Sequence, residues 1–469
     1  MENHIARLGE QDYYPVSFLQ KKEFFSSLIK PAYHFNTSIP IPFSNIDEGL
    51  LEKVISSLIE RHESLRSIFA VVDGMVMQKV YERKHPDFEI ECIDLIDAPN
   101  KGELFTSYHK SSSERLFDFQ KGPLLDVKLI KLTKQDTILI ISVPHAFCDG
   151  LSLKILHEEI SLLYNSYKEG KPNPLKPLTI QYKEYAFWRN NWLEGSHFIE
   201  SKLFYEKRIG ESISKEKAQG VKAQFERSYK QDLENEIAYT AGQEKVNLYA
   251  EAIGLIGKIR NVPGGNYNFF MGKGLVDKLK KLAGETGTTL FPVLLASFGV
   301  LFYRISGKKY FRIDVPAVTR DLEEFQRIVG WLMGGMIVCF EVDGEASLST
   351  LIKSVKSSML DTYHHRYYPG ERILKDFDLP INAISPLQLN LVKTTNQLSE
   401  EFSPFHEDVT DAYYNIGCGI REYKNGMTFS IIYNKSIYKY REIEGMAKAY
   451  MNMIDSEDFE LENTIDQLL

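Results

Sequence analysis

Residues 137–167, TILIISVPHAFCDGLSLKILHEEISLLYNSY, constrain the fold more than any other stretch. A continuous run rich in β-branched and apolar residues begins at Thr137, as in a strand covered on both faces. After Gly150 the period changes, and Leu153, Leu156, Ile160 and Leu163 recur at helical spacing. Strand, short loop and helix therefore follow one another. A second helix is expected after Asn45 and Asp47, with Leu50, Leu51, Val54, Ile55, Leu58 and Ile59 on one face, leading directly into RHESLRSIF at 61–69.

The same reading continues along the chain. KEGKPNPLKPL at 168–178 has the Pro, Gly and Lys content of a linker, which places a domain boundary at 177/178 and gives lobes of 1–177 and 178–469. Helix is expected from QYKEYAFWRNNWL at 181–193. Residues 207–230 read as a Lys-rich solvated helix or insertion, and NVPGGN at 261–266 as a turn. An amphipathic helix near Leu275, Leu279 and Leu282 precedes an apolar helix from Leu290 to Arg304. Strands are expected near 309–318, 335–343, 412–420 and 426–434. Both halves mix helices with strands and no short-period repeat marks a solenoid, so the class is α/β or α+β in two lobes.

Composition narrows the function. At 469 residues the chain exceeds one ordinary core, and 43% hydrophobic, 12% aromatic and 26% charged residues suit a globular chain rather than a disordered one. Lys plus Arg number 56 against 64 Asp plus Glu, a net charge of -8. This disfavours general attachment to nucleic acid or to an anionic membrane, so an anionic partner must meet a local basic patch. Cys92, Cys148, Cys339 and Cys418 are far apart, with no CxxC pair, which argues against a disulfide framework or zinc site and fits a reducing cytoplasm. The N-terminus lacks the pattern of a signal peptide, and no run of about 18 apolar residues is present to span a bilayer.

Chemistry concentrates in Pro144, His145, Ala146, Phe147, Cys148, Asp149 and Gly150. An imidazole and a carboxylate stand there at the end of a buried strand, just before a helix. His145 is suited to take a proton from an attacking amine or hydroxyl near neutral pH. Asp149 either orients the loop, pairs with a cation or is a plain helix N-cap, and Gly150 permits close backbone approach. Cys148 lies in the loop without a base nearby in sequence and reads as filler, not as the nucleophile. Arg61 and Arg66 read as basic groups facing the dipole at a capped helix end. His364 and His365 read as a surface pair, because adjacent histidines on a regular element diverge and no further ligands complete a metal site.

Together these stretches resemble the condensation domain of nonribosomal peptide synthetases, within the chloramphenicol-acetyltransferase-like superfamily. RHESLRSIF is similar to the family's RHExLRTxF, and FDFQKGPLLDVKLIKL at 117–132 to the stretch before its active-site strand. VPHAFCDG at 143–150 resembles HHxxxDG, and QYKEYAFW at 181–188 resembles YxDYAxW. VTRDLEEFQRIVGWLMGGMIV at 318–338 resembles the segment ending in VGxFVNT, and YYNIGCGIREYKNGMTFSIIYNKSIY the closing strand pair.

The resemblance implies two chloramphenicol-acetyltransferase-like lobes in a V-shaped pseudo-dimer, with a tunnel between them. It implies an acyltransferase that forms an amide or ester. An amine or hydroxyl would attack a thioester carried on a phosphopantetheine arm of an acyl or peptidyl carrier protein, or on coenzyme A, and the enzyme would hold no bound cofactor and no metal. His145 would be the base or positioning group. Asp149 would be structural, paired with Arg320, and Gly150 would keep the tunnel floor open. Arg61 and Arg66 would support the site, and Pro144, Cys148, Trp331, Gly334 and Gly335 would line the tunnel. Pro144 stands where the family has its first His, and Gly334 and Gly335 where it has Asn and Thr, which suggests a wider or differently shaped wall. Carrier proteins are usually acidic, so a basic patch is expected at the donor mouth. The chain ends soon after the last family-like segment, without adenylation motifs or a carrier-type serine, so a free-standing enzyme or an excised domain is expected. The alternatives are a non-catalytic module that recruits carriers or partner enzymes, and a relative that runs a different reaction on the same scaffold.

Overall fold

The computed structural model describes residues 5–29, 36–218, 262–377, 387–393, 411–412 and 415–468. They fall into two compact units, one extending to Gly195 and including Thr319–Met333, the other beginning at Ser196 and including the rest of the C-terminal half.

In the first unit, β1 (Tyr14–Pro15), α1 (Phe18–Ile29), β2 (Asn36–Ser44), α2 (Glu48–Arg61), β3 (Ser67–Val72) and β4 (Met75–Val80) come first. β5 (Ile90–Asp94), α3 (Lys101–Ser113), β6 (Asp126–Lys131), β7 (Asp136–Pro144), α4 (Gly150–Lys168) and α5 (Tyr182–Trp192) follow. One sheet has the order β1-β4-β3 and the other β2-β7-β6-β5. The expected helix after Asp47 is α2. The Asp47 carboxylate accepts from Leu50 N at 2.9 Å as its N-cap, and Leu51, Val54, Ile55, Leu58 and Ile59 are buried. β7 is buried from Thr137 to Pro144 because β2 and β6 flank it while α3 packs across it. That enclosure explains its unbroken apolar sequence.

Pro144 closes β7 opposite Asn36 of β2, two residues beyond the last β6 pair at Ser142. A proline is tolerated there because a strand end can forgo a ladder N–H. Phe147, fully buried, fastens the following turn: its ring lies 4.7 Å from that of Phe69 on β3, which also meets Phe24 and Phe119 at 5.5 Å.

The expected boundary at 177/178 and the contact boundary after Gly195 differ by α5. Tyr182, Tyr185 and Ala186 of this helix bury themselves with Ile5, Ile180, Phe325, Ile328 and Leu332. The segment 319–333, distant in sequence, thus completes a core of the N-terminal unit.

The second unit begins with α6 (Ser196–Ala218), β8 (Val262–Gly272), α7 (Lys273–Glu285), α8 (Leu290–Ser306), β9 (Tyr310–Val318) and β10 (Met333–Glu341). It continues with α9 (Leu348–His364), α10 (Gly370–Asp376), β11 (Leu387–Lys393), β12 (Asp411–Ala412), β13 (Ile416–Tyr423), β14 (Gly426–Asn434) and α11 (Tyr440–Asp455). Its sheet runs β10-β9-β11-β13-β14-β8-β12. α8 is apolar on all sides because it packs on α7, α9 and α11 within the core.

The turn expected at 261–266 is instead the start of β8 over its described residues. Gly264 and Gly265 pair with Asn434 and Tyr433. A Cβ on Gly265 would stand 2.3 Å from the Tyr433 ring, so glycine there makes room for a neighbouring side chain. The Lys-rich stretch is helical in α6 up to Ala218, and its remainder, 219–230, lies outside the described residues. Among the described residues no single helix is long and apolar enough to cross a membrane.

Candidate active site

His145 opens a short 3-10 turn, His145–Phe147, that leads from β7 into α4. Its Nδ1 is sealed from solvent with no hydrogen-bond partner on another residue. Nε2 makes no hydrogen bond either, yet it is not among the sealed atoms, so it is the ring nitrogen that reaches accessible space. Burial pushes the imidazole pKa below 6.5, against upward pulls from Asp149 and from a hydrogen bond to the residue's own backbone, and with a smaller downward push from Lys22 on α1. A neutral ring with one open nitrogen can accept a proton near pH 7.

Asp149 is fully buried and caps α4. Its Oδ1 accepts from Ser152 N at 2.8 Å and from Arg320 Nη2 at 2.8 Å, and its Oδ2 accepts from Leu332 N at 3.0 Å. The N-cap and the cation-pairing alternatives therefore hold at once. Arg320 donates its other arm to the carbonyls of Phe325 (3.0 Å) and Ile328 (2.5 Å). The Ser152 hydroxyl accepts from Gly330 N at 3.0 Å, and Asp149 N donates to Gly330 O at 3.1 Å. Loop 145–149 and segment 319–333 are thus fixed to each other by charge-assisted and backbone hydrogen bonds.

Trp331 lies in this segment, and its ring centroid is 4.4 Å from that of His145 at 64°. Tyr182 OH donates to Trp331 O at 3.0 Å. Cys148 is fully buried, with its thiol pushed up to about 12 by burial, and offers no thiolate at neutral pH.

The structure departs from the sequence expectation at Gly150. Gly150 is exposed on the first turn of α4, its φ is not positive, and an added Cβ would meet nothing within 4 Å, so no close approach demands glycine there. The close approach occurs at Gly330, where a Cβ would lie 1.9 Å from Tyr182 Cδ2. Gly334 and Gly335 belong to the other unit, where a Cβ on Gly335 would lie 2.8 Å from Asp314 Oδ1.

Arg61 does stand at the C-terminal end of α2, and Arg66 at that of the short 3-10 turn Glu63–Arg66 that follows it, but both are largely buried and bonded rather than solvated. Arg66 donates to the carbonyls of Ile59 (3.2 Å) and Tyr81. Arg61 Nε donates to buried Glu159 at 3.0 Å, and the same carboxylate accepts from His62 Nε2 at 2.7 Å and Arg327 Nη2 at 3.0 Å. The sequence reading missed His62, Glu159 and Arg327. A signal existed, since Glu159 falls on the otherwise apolar face of α4 beside Leu156 and Ile160, where a carboxylate must be paired. His365 stacks on Phe204 at 4.1 Å and its Nδ1 lies 3.0 Å from Ser201 Oγ, while His364 is exposed. Among the described residues no group of three metal-ligating side chains occurs.

A family model described as Condensation domain matches residues 10–252 and 258–462. The chain belongs to the condensation-domain family. The family acts in nonribosomal peptide synthesis, where it forms amide bonds in natural-product biosynthesis. Gramicidin S synthase 2 of Aneurinibacillus migulanus is 26% identical over 472 residues, covering 96% of this chain and 9% of the synthase. This condensation domain therefore spans a small part of the length of that relative. The X-domain in its complex with OxyB from teicoplanin biosynthesis shares the fold, with a TM-score of 0.75 at 14% identity over 99% of this chain and 98% of that one. So does the starter condensation domain of rhizomide synthetase, solved with C8-CoA and Leu-SNAC, with a TM-score of 0.73 at 12% identity over 97% and 96%. The mixed α/β fold is thus shared with these solved structures.

Proposed function

We propose that this condensation domain forms an amide, or an ester, by direct attack of an amine or hydroxyl on an acyl thioester of a carrier protein or of coenzyme A. The observation that carries the reading is the His145 ring, neutral by burial and open at Nε2, at the end of β7. Nε2 accepts the proton as the nucleophile attacks. The new C–N or C–O bond forms, the C–S bond breaks, and the thiolate leaves with a proton returned from the imidazole. Orientation and proton transfer suffice without an acyl-enzyme, in keeping with a Cys148 thiol held protonated. Asp149 and Arg320 bond each other and the backbone, which supports a structural role for the pair. The rhizomide domain's complex with C8-CoA supports thioester donors of this class.

The test is intact-mass spectrometry of acyl-loaded carrier protein, with acyl-CoA in parallel, mixed with a pool of amines and alcohols. Transfer of the acyl mass to an acceptor, reduced about 10²- to 10⁴-fold in His145→Ala, is expected. The second reading is a non-catalytic module that recruits carriers or partner enzymes. It rests on Pro144 in place of the motif's first His and on the likeness to an X-domain held in complex with OxyB. Carrier binding without transfer across several donors, unaffected by His145→Ala, would establish it instead.

A further inference from the structure

We propose that Thr37 of β2 is a positioning residue for His145, its hydroxyl clamping the two ends of the loop that carries the imidazole. The proposal rests on the acyl-transfer reading for its purpose, but not for its test. The His145 ring hydrogen-bonds its own main chain. Nδ1, which has no partner on another residue, is the ring nitrogen beside that main chain, so the orientation of Nε2 follows the backbone at position 145. Whatever holds that backbone therefore aims the base. The His145 carbonyl accepts from Cys148 N at 3.3 Å, a bond that closes the turn but does not anchor it.

The anchor is on the neighbouring strand. Thr37 pairs with Val143 in the β2–β7 ladder, and its Oγ1 lies 3.2 Å from Val143 O and 3.1 Å from Cys148 O. The hydroxyl donates, and its one proton is shared between two carbonyls that flank Pro144–Phe147. Val143 and Cys148 are fully buried, so neither carbonyl can turn to water for a replacement donor. The Cys148 side chain bonds the same hydroxyl. Pro144, at φ -54° and ψ 139°, carries the chain from β7 into the turn, and its ring leaves φ little room to adjust. Cys148 leaves the turn extended, at φ -156° and ψ 122°. With a rigid residue at the entry, any change in the span between the Val143 and Cys148 carbonyls is taken up within 145–147, where the imidazole is bonded to the main chain. The other supports act elsewhere: Phe147 through its ring against Phe69, and Asp149 through α4 and Arg320. Of these, Thr37 is the one that bridges the turn.

The experiment compares Thr37→Val, which keeps the shape and removes the hydroxyl, with Thr37→Ser, which keeps the hydroxyl, in the full chain. Circular dichroism and melting establish that each variant is folded. Three readouts are taken: the His145 ring shifts in protein labelled with ¹⁵N-histidine and assigned with His145→Gln, the rate at which a disulfide reagent labels Cys148 in the native protein, and kcat and KM on an acyl-loaded carrier. In Thr37→Val the shifts of the two ring nitrogens should move toward their average. Cys148 labelling should accelerate about 10-fold as the loop opens, although loss of the Thr37 hydrogen bond alone would make the thiol less acid. kcat should fall about 10- to 100-fold, with KM within about threefold of wild type. Thr37→Ser should recover most of each change. A folded Thr37→Val with wild-type ring shifts and wild-type protection of Cys148 overturns the proposal, whatever its turnover. If Thr37→Val does not fold, Thr37→Ala decides on the same readouts. Altered shifts and labelling in a chain whose wild type transfers no acyl group support the clamp and sink the acyl-transfer reading.

Discussion

Asp149 Oδ1 and Arg320 Nη2, 171 residues apart in sequence, meet at 2.8 Å with side chains only 0% and 6% exposed. A pair this buried is held by geometry as much as by charge, because both ions have lost water and each must be fully bonded. Asp149 meets the condition through Ser152 and Leu332, and Arg320 at both Nη atoms, through two backbone carbonyls and the Ser152 hydroxyl, while its buried Nε has no partner. Removing either partner strands the other. Arg320→Ala should therefore destabilise by about 3–5 kcal/mol, and Asp149→Ala comparably. The double variant should fall short of the sum by about 1–3 kcal/mol in urea unfolding. Strict additivity would show that the two residues act separately.

Gly330 and Tyr182 make the next prediction. A Cβ at position 330 would stand 1.9 Å from the fully buried Tyr182 ring, which leaves no room to relax. Gly330→Ala should cost about 1–3 kcal/mol through overpacking and lower the melting temperature by several degrees. Tyr182→Leu, added to Gly330→Ala, should return part of the loss. A Gly330→Ala protein as stable as wild type would mean that the ring and backbone are not packed as described.

These two relationships also show where the sequence is legible and where it is not. Local periodicity reveals α2, β7 and α4, because Val54, Leu58, Ile160 and Leu163 repeat at the spacing their burial requires. Family resemblance points to Asp149 and Arg320 as partners, which no local pattern does. Gly150 and Gly330 mark the limit. Both stand in motif-like stretches, but the need for glycine depends on what packs opposite, and Tyr182 is invisible from position 330. The 264–265 glycines mislead in the same way, since Pro-Gly-Gly reads as a turn until Tyr433 is known to lie across it. Glu159 is an intermediate case: its place on an apolar face signals pairing, but not that three donors on two segments converge on it.

The thiols allow an inexpensive check of the cores. Cys92 is exposed, whereas Cys148, Cys339 and Cys418 are buried, with Cys148 pushed up to about 12 and Cys339 to about 11 by burial. Burial also raises Cys418. Reaction requires both access and thiolate, so the native chain should label with a disulfide reagent at Cys92 and the urea-unfolded chain at all four cysteines. Peptide mapping identifies the site. Rapid native labelling of Cys148 would show that the 145–149 loop opens and would count against the sealed site.

The pH dependence of stability tests the Glu159 cluster. Burial lowers the pKa of His62 from 6.5 against the pull of Glu159, so His62 is neutral in the folded chain at neutral pH. Burial also opposes the charge on Glu159, but the hydrogen bond from His62, the charge of Arg61 and the hydrogen bond from Arg327 outweigh it and hold its pKa below 4.5. For His62 the unfolded chain binds the proton first. Stability should thus be full above pH 6.5 and fall as pH drops through the interval down to the folded pKa, by about 1.4 kcal/mol for each unit of depression. His145 adds to the same slope, being depressed in the same direction. The Glu159 contribution persists until pH drops below 4.5 and is then lost through its folded pKa. Urea unfolding at pH 7.5, 6.0 and 5.0 should show a declining midpoint, and His62→Gln, which keeps a donor for Glu159 but does not titrate, should flatten the decline. An equally steep decline in His62→Gln would place the acid sensitivity elsewhere in the chain.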